Sequence, residues 1–264
     1  MIIETSCGPV AAIRTGEGTS VLMLPGYTGS KEDFAPLLEP LADAGFAATA
    51  IDLPGQYESP GPADPAHYTP DALAAVVLDV AATLQRPVHL LGHSFGGLVA
   101  RSSVLAAPDA FASLVLMSSG PSGLGGARAQ MIGDLEPLLA SSGVAGVYAA
   151  SLAVYRAQAG YVEPPAPQAA FLERRFLAGA PAMLQGMGSA VRTEPDRVAE
   201  LTEVAPPALV LFGVDDDAWP PAVQREMAGR LGAEVAQIRD AAHSPAVENP
   251  AATAAALVDF WRRV

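Results

Sequence analysis

Cysteine is nearly missing from this chain: Cys7 is the only one in 264 residues, so no internal disulfide can form and nothing points to an oxidising compartment. Histidine is scarce as well, with four scattered residues. Together they show no ligand spacing such as C-x-x-C or H-E-x-x-H, and no metal is expected. Positive charge is short, 15 basic residues against 28 acidic ones for a net charge of -13. A surface of that sign repels nucleic acid and anionic membrane, so neither is an expected partner. Met1 to Arg14 lacks the basic region and long apolar core of a secretion signal, and no later run reads as long enough to cross a bilayer. The expectation that follows is a cytoplasmic protein. No repeat or low-complexity tract is evident, and the glycine-rich Gly120 to Gly126 does not fit a phosphate-binding loop; it reads as a hinge.

What is present is apolar sequence, 50% of the residues, enough for one large domain with a substantial core or a domain carrying an insertion. Val21 to Leu24, Ala47 to Ile51, Val88 to Leu91, Leu114 to Met117, Leu209 to Phe212 and Val235 to Ile238 read as short buried strands separated by longer helical patterns. Buried strands alternating with helices predict a mostly parallel sheet flanked by helices, an α/β fold. Ser30 with Asp33 resembles a capping box, and Thr69-Pro70 and Asn249-Pro250 each place a cap before a helix-opening proline. The rhythm breaks between Pro121 and Pro206, where helical patterns continue without a convincing strand. Residues 1–120 and 207–264 are therefore expected to form the core, and 121–206 a helical cap inserted over the sheet. The cap's Tyr148, Tyr155, Tyr161, Phe171, Phe176, Met183 and Met187 could line an apolar pocket or pack a small helical core. Pro164-Pro165-Ala166-Pro167 should separate two of its helical pieces.

Chemistry enters at Gly92-His93-Ser94-Phe95-Gly96, between the strand ending at Leu91 and a helical stretch from Leu98 to Ala106. The bare G-x-S-x-G pattern arises by chance in about one chain in ten of such glycine-rich composition, so the strand before it and the helix after it carry the signal. A sharp strand-to-helix turn needs small residues around its apex, which Gly92, Gly96 and Gly97 supply. Ser94 is then a candidate nucleophile, with a helix-capping serine as the alternative. A serine hydroxyl is a weak nucleophile without a base in reach and a third group to orient that base. His93 is adjacent but should be pointed elsewhere by the turn, His89 lies inside a strand, and His67 sits in a loop without a supporting pattern. His243 follows the last strand and precedes the Asn249-Pro250 helix, which places it at the sheet's carboxyl edge, where sites of open α/β sheets gather. The acid should stand at a similar strand end, and Asp215, Asp216 and Asp217 all follow the strand ending at Phe212; the residues alone leave them unranked.

The order nucleophile, acid, histidine, each after a strand, resembles the α/β-hydrolase superfamily, specifically its carboxylesterase-like serine hydrolases with a helical cap. The resemblance spans Val21 to the last helix. The family's G-x-x-D-x-x-x-P fits Gly213 to Pro220 only with Asp216 as the acid, and His243-Ser244-Pro245 followed by Glu248-Asn249-Pro250 fits its histidine segment. The resemblance implies a Ser94–His243–Asp216 triad working through an acyl-enzyme without a cofactor, and an oxyanion hole from the backbone N–H groups of Phe95 and Tyr27. Pro25-Gly26-Tyr27 stands where the family commonly has His-Gly, so a histidine that usually helps to fix that loop is missing. Tyr27, Trp219, Tyr148 and Tyr155 are the candidate substrate contacts, for a small-molecule ester, thioester or lactone of fairly apolar character. The same triad also serves C–C bond hydrolases, the menaquinone-pathway synthase and cofactor-free perhydrolases, and the fold sometimes serves as a ligand receptor. A monomer or a small homo-oligomer is expected.

Overall fold

Eight strands form one sheet in the order β1-β2-β4-β3-β5-β6-β7-β8, in a computed structural model that describes residues 1–158 and 160–264. The elements run β1 (Ile2–Thr5), β2 (Gly8–Thr15), β3 (Thr19–Leu24), α1 (Ala35–Asp43), β4 (Phe46–Ile51), α2 (Pro70–Ala82), β5 (Val88–His93), α3 (Phe95–Ala106) and β6 (Ser113–Met117). Among the described residues four helices follow without a strand: α4 (Gly126–Arg156), α5 (Ala166–Leu177), α6 (Pro181–Thr193) and α7 (Val198–Thr202). The chain then returns to the sheet through β7 (Ala208–Gly213), α8 (Pro221–Leu231), β8 (Glu234–Ile238), α9 (Pro245–Glu248) and α10 (Pro250–Trp261).

From β4 to β8 all pairings are parallel, β3 lying between β4 and β5. The antiparallel pair at the other edge, β1 on β2 and β2 on β4, is additional to the six expected strands. Each central strand feeds both faces, as a period of two requires. Along β3, Leu22 and Leu24 enter the core shared with α2 and α3, whereas Val21 and Met23 enter the one shared with α1 and α10. Burial on both sides is why these strands read as unbroken apolar runs and not as alternating ones.

Caps at two helix starts match the sequence signals. Thr69 Oγ1 accepts the Ala72 N–H, and Asn249 Oδ1 accepts the Ala252 N–H. At Ser30 the main-chain N–H donates to Asp33 Oδ2, and the turn it opens is a short 3-10 segment. By length alone α4 would reach across a bilayer, with 31 residues and an apolar window of mean hydropathy 1.5. It is not one continuous rod, because Gly143 takes φ 64° and ψ -171° and breaks it into two shorter pieces, each below the ~20 residues that span a bilayer.

The inserted helices are tied to the sheet by one buried cation. Arg101, on α3 and 2% exposed, donates through Nη1 to the Pro121 carbonyl and through Nη2 to Glu194 and the Pro195 carbonyl. Pro121 lies where the insertion leaves the sheet and Glu194 where it begins to return, so one guanidinium closes the base of the loop. Replacing Arg101 by Met strands the Glu194 carboxylate and two carbonyls. We expect a loss of about 3 kcal/mol in urea unfolding and faster proteolytic nicking within 121–197 than in the wild type.

Candidate active site

Ser94 lies between β5 and α3 with φ 55° and ψ -120°, a conformation side chains rarely adopt. The strain is held from both sides. The Ser94 N–H donates to the Met117 carbonyl of β6 at 2.8 Å, and Ser119 Oγ donates to the Ser94 carbonyl at 2.9 Å. A Cβ at Gly92 would run into the Gly96 carbonyl, and one at Gly96 into the carbonyls of Leu24 and Pro25, so glycine is required at both positions for strand and helix to come this close.

The other two groups arrive from the ends of β7 and β8. His243 Nε2 is 3.0 Å from Ser94 Oγ, and His243 Nδ1 is 2.9 Å from Asp216 Oδ1. Among the three neighbouring carboxylates only Asp216 is buried, while Asp215 and Asp217 face solvent and Asp217 pairs with Arg128 at 2.9 Å. Asp216 also accepts the Ala218 N–H at Oδ1 and the Gln224 side-chain amide at Oδ2. Burial pushes its carboxyl up, but His243, Ala218 and Gln224 together hold it below the ordinary carboxylate value. An ionised Asp216 fixes the His243 tautomer with hydrogen on Nδ1, which leaves Nε2 free to accept the Ser94 proton.

The histidine loop is braced by residues whose part in the site the sequence did not disclose. Glu248 Oε2 accepts the N–H groups of Ala242 and Ser244, on either side of His243. The loops after β7 and β8 touch at Gly213, where a Cβ would meet the carbonyls of Ala241 and Ala242. His93 is not turned away: Ser94 points to His243's side chain, and His93 Nε2 donates to His243's carbonyl at 2.7 Å. Burial foremost, then the neighbouring His243, lowers the His93 pKa to about 4, so it donates as a neutral ring. Gln224 could have been noticed, since it shares the inner face of α8 with Met227, Ala228 and Leu231 at helical spacing; an amide on an apolar face marks a buried polar partner.

In front of Ser94, a Cβ at Gly26 would lie 3.1 Å from Ser94 Cβ and 3.5 Å from its Oγ, so the loop after β3 borders the hydroxyl. Among the described residues no backbone hydrogen bond engages the N–H of Tyr27 or Phe95; Phe95 opens α3, where the first N–H groups lack intrahelical partners. A cavity of about 570 Å³ opens above, lined by Tyr27, Ser94, His243, Ile132, Leu139, Val147, Tyr148, Leu152, Tyr155, Leu172 and Phe176 among others. Three of the four candidate contacts thus reach it, but Trp219 does not. Its ring lies behind His243, centroids 6.3 Å apart, with Nε1 donating to the Ser122 carbonyl and Gly120 closed against it. The Tyr27 hydroxyl donates to the Leu184 carbonyl of α6 at 3.0 Å and is committed to the insertion. Among the described residues no cluster of His, Cys, Asp and Glu fits a metal ion.

Comparison with known proteins shows the family to which the chain belongs. The model of the Alpha/beta hydrolase family matches residues 21–256, and the chain belongs to that family. A pimeloyl-[acyl-carrier protein] methyl ester esterase of Neisseria meningitidis serogroup B is 28% identical over 251 residues, covering 91% of this chain and 92% of its own. A shorter match, 36% identical over 103 residues and 39% of each chain, is to a Variovorax paradoxus protein with a provisional carbamate hydrolase name. Among solved structures, the enol-lactonase of Burkholderia xenovorans LB400 superposes with a TM-score of 0.85 over 99% of this chain and 100% of that one at 22% identity. A thermophilic esterase of Thermogutta terrifontis gives 0.82 over 100% and 98%, also at 22%. Both share the fold.

Two buried imidazoles make stability sensitive to acid. His89 in β5, like His93, has its pKa lowered to about 4 by burial, from an ordinary 6.5. Below pH 6.5 the unfolded chain takes up protons that the folded chain refuses, so stability is full above that pH and is lost as pH falls toward 4. The urea midpoint should be level from pH 7.5 to 6.5 and decline between 6.5 and 4.5; a flat profile would refute buried neutral imidazoles.

Proposed function

We propose that the protein is a serine esterase in which Ser94 is the nucleophile, His243 the base and Asp216 the group that orients and charges-balances the imidazole. The observation that carries this is the unbroken hydrogen-bonded line from Ser94 Oγ through both ring nitrogens of His243 to the buried Asp216. As Ser94 Oγ attacks an ester carbonyl, its proton passes to His243 Nε2, and the oxyanion is met by the N–H groups of Tyr27 and Phe95. Collapse expels the alcohol, which leaves with the proton from His243. Water then gives a proton to the same nitrogen as it attacks the acyl-enzyme, and on collapse His243 returns that proton to Ser94 Oγ, which frees the serine and the carboxylic acid. No cofactor is needed for these steps.

We assign residues 121–206 as the cap that sets selectivity. The cavity beneath it favours a neutral substrate with a medium-sized apolar part, because the cations on its wall, Arg128 and Arg175, are already paired with carboxylates, and Glu136 is paired with Arg192 from outside the lining. Arg175 pairs with Asp33 at 2.5 Å, Arg192 with Glu136 at 2.5 Å and Arg128 with Asp217 at 2.9 Å, which leaves an incoming carboxylate without an obvious free cation. The pimeloyl-[acyl-carrier protein] methyl ester esterase relative supports the ester class.

A fluorophosphonate probe should label the wild type at Ser94 and leave Ser94→Ala unlabelled. p-Nitrophenyl esters of graded acyl length should be turned over with an optimum at medium length. Labelling without turnover of any ester would overturn the ester assignment in favour of C–C bond or lyase chemistry at the same serine. Asp216→Asn should lower kcat/KM by about 10⁴-fold, whereas Asp215→Asn and Asp217→Asn should stay within a few-fold of wild type; the opposite ranking would remove Asp216 from its role.

A further inference from the structure

We infer that Gln56 is the residue that aims the Tyr27 N–H at the oxyanion, in place of the histidine this chain lacks beside Gly26; the inference rests on the serine hydrolase reading of Ser94. Gln56 is fully buried and follows β4 in a tight turn. Its Nε2 donates to the Gly26 carbonyl at 2.8 Å, and its Oε1 accepts the Leu53 N–H at 3.0 Å. That second bond settles which end of the amide faces the loop: the oxygen is taken by a donor, so the nitrogen must face the carbonyl.

The target of this bond is the reason for assigning it a function. Gly26 C=O and Tyr27 N–H belong to one peptide unit, which is planar and trans, so its carbonyl and N–H point in opposite directions. Whatever fixes the carbonyl fixes the N–H. The Gly26 carbonyl has two donors, Gln56 Nε2 and the Gly29 N–H at 3.0 Å, while the Tyr27 N–H has no backbone partner and Gly26 rests against Ser94. Donation to the carbonyl also polarises the peptide and strengthens its N–H as a donor.

Gln56 is itself placed by a rigid loop. Its N–H donates to the Leu53 carbonyl and its carbonyl accepts the Ser59 N–H, while Ser59 Oγ joins the Asp52 carbonyl to the Ala11 N–H of β2. Asp52, wholly buried, binds both the N–H and the Nζ of Lys31, just beyond the Tyr27 loop. The two loops are thereby locked together at two points, one charged and one neutral.

Gln56→Glu keeps the acceptor for Leu53 and removes the donor to Gly26, and Gln56→Met removes both at similar length. Three measurements on folded protein test the role: kcat and KM on a p-nitrophenyl ester, affinity for an alkyl boronic acid that forms a tetrahedral adduct on Ser94, and the rate of fluorophosphonate labelling. Each variant should lower kcat, boronate affinity and labelling rate by a common factor of about 10 to 100, less than the loss of a whole donor, with KM within about twofold. A folded variant that keeps wild-type boronate affinity and labelling rate overturns the inference, and so does a rise in KM with the other two unchanged. If Gln56→Glu does not fold, Gln56→Met decides alone. Failure of the esterase reading is separate: it appears as absent ester turnover in the wild type, while labelling rate and boronate affinity still report on Gln56.

Discussion

Everything in the site depends on one imidazole having both of its nitrogens engaged at once. His243 lies 2.9 Å from Asp216 and 3.0 Å from Ser94, and an error of about 1 Å at any of the three loops would break one of these two hydrogen bonds. The three loops follow three different strands of a parallel sheet, which sets their carboxyl ends side by side. Packing against β6 holds the serine turn in its strained conformation. Close approach at Gly213 brings the other two loops together, and Glu248 stiffens the histidine segment by binding the N–H groups on both sides of it.

Much of the sheet was legible because its central strands are buried on both faces and therefore appear as apolar runs bounded by turns; β8, expected to be buried, is an edge strand in which Val235 and Gln237 are exposed and only Ile238 is buried. The β1–β2 pair escaped notice for the converse reason. Its two strands carry few large apolar residues, with Ile3 the only one buried in β1, three small buried residues in the middle of β2 and charges at Glu4 and Arg14, and antiparallel pairing is fixed by partners distant in sequence and not by local pattern. Ser94 and His243 could be chosen from the residues, because turn chemistry and strand ends are local features. Ranking Asp215, Asp216 and Asp217 was beyond local chemistry: what separates them is that one points inward to Gln224 and His243 while the others face water. The same holds for His93 and Gln56, whose partners lie at positions 243 and 26. A sequence read in one dimension shows a polar residue in an apolar context but not the carbonyl it serves.

Charge is used in two distinct ways. At the cavity wall Arg175 pairs with Asp33, and Glu136 with Arg192 just outside the lining; these pairs are partly exposed and add little to stability, but each counters a charge on the wall. Beneath the cavity, buried Lys31 and Arg101 act as fasteners. Burial alone would drive protons off Lys31, but its three carboxylate partners outweigh that and hold it protonated.

The Arg101 fastener has a consequence for how such a chain changes over time. Because the departure and the return of the inserted helices meet at one guanidinium, the segment between them is topologically a closed loop on a fixed base. Closing a longer or shorter loop changes its entropy only slowly with length. Residues can therefore be gained, lost or exchanged above that base with little effect on the spacing of Ser94, Asp216 and His243. The molecule separates a part that must stay fixed to the ångström from a part with more freedom to be rewritten: Arg101 fastens the base, and Tyr27 to Leu184 and Arg175 to Asp33 tie it again near the site.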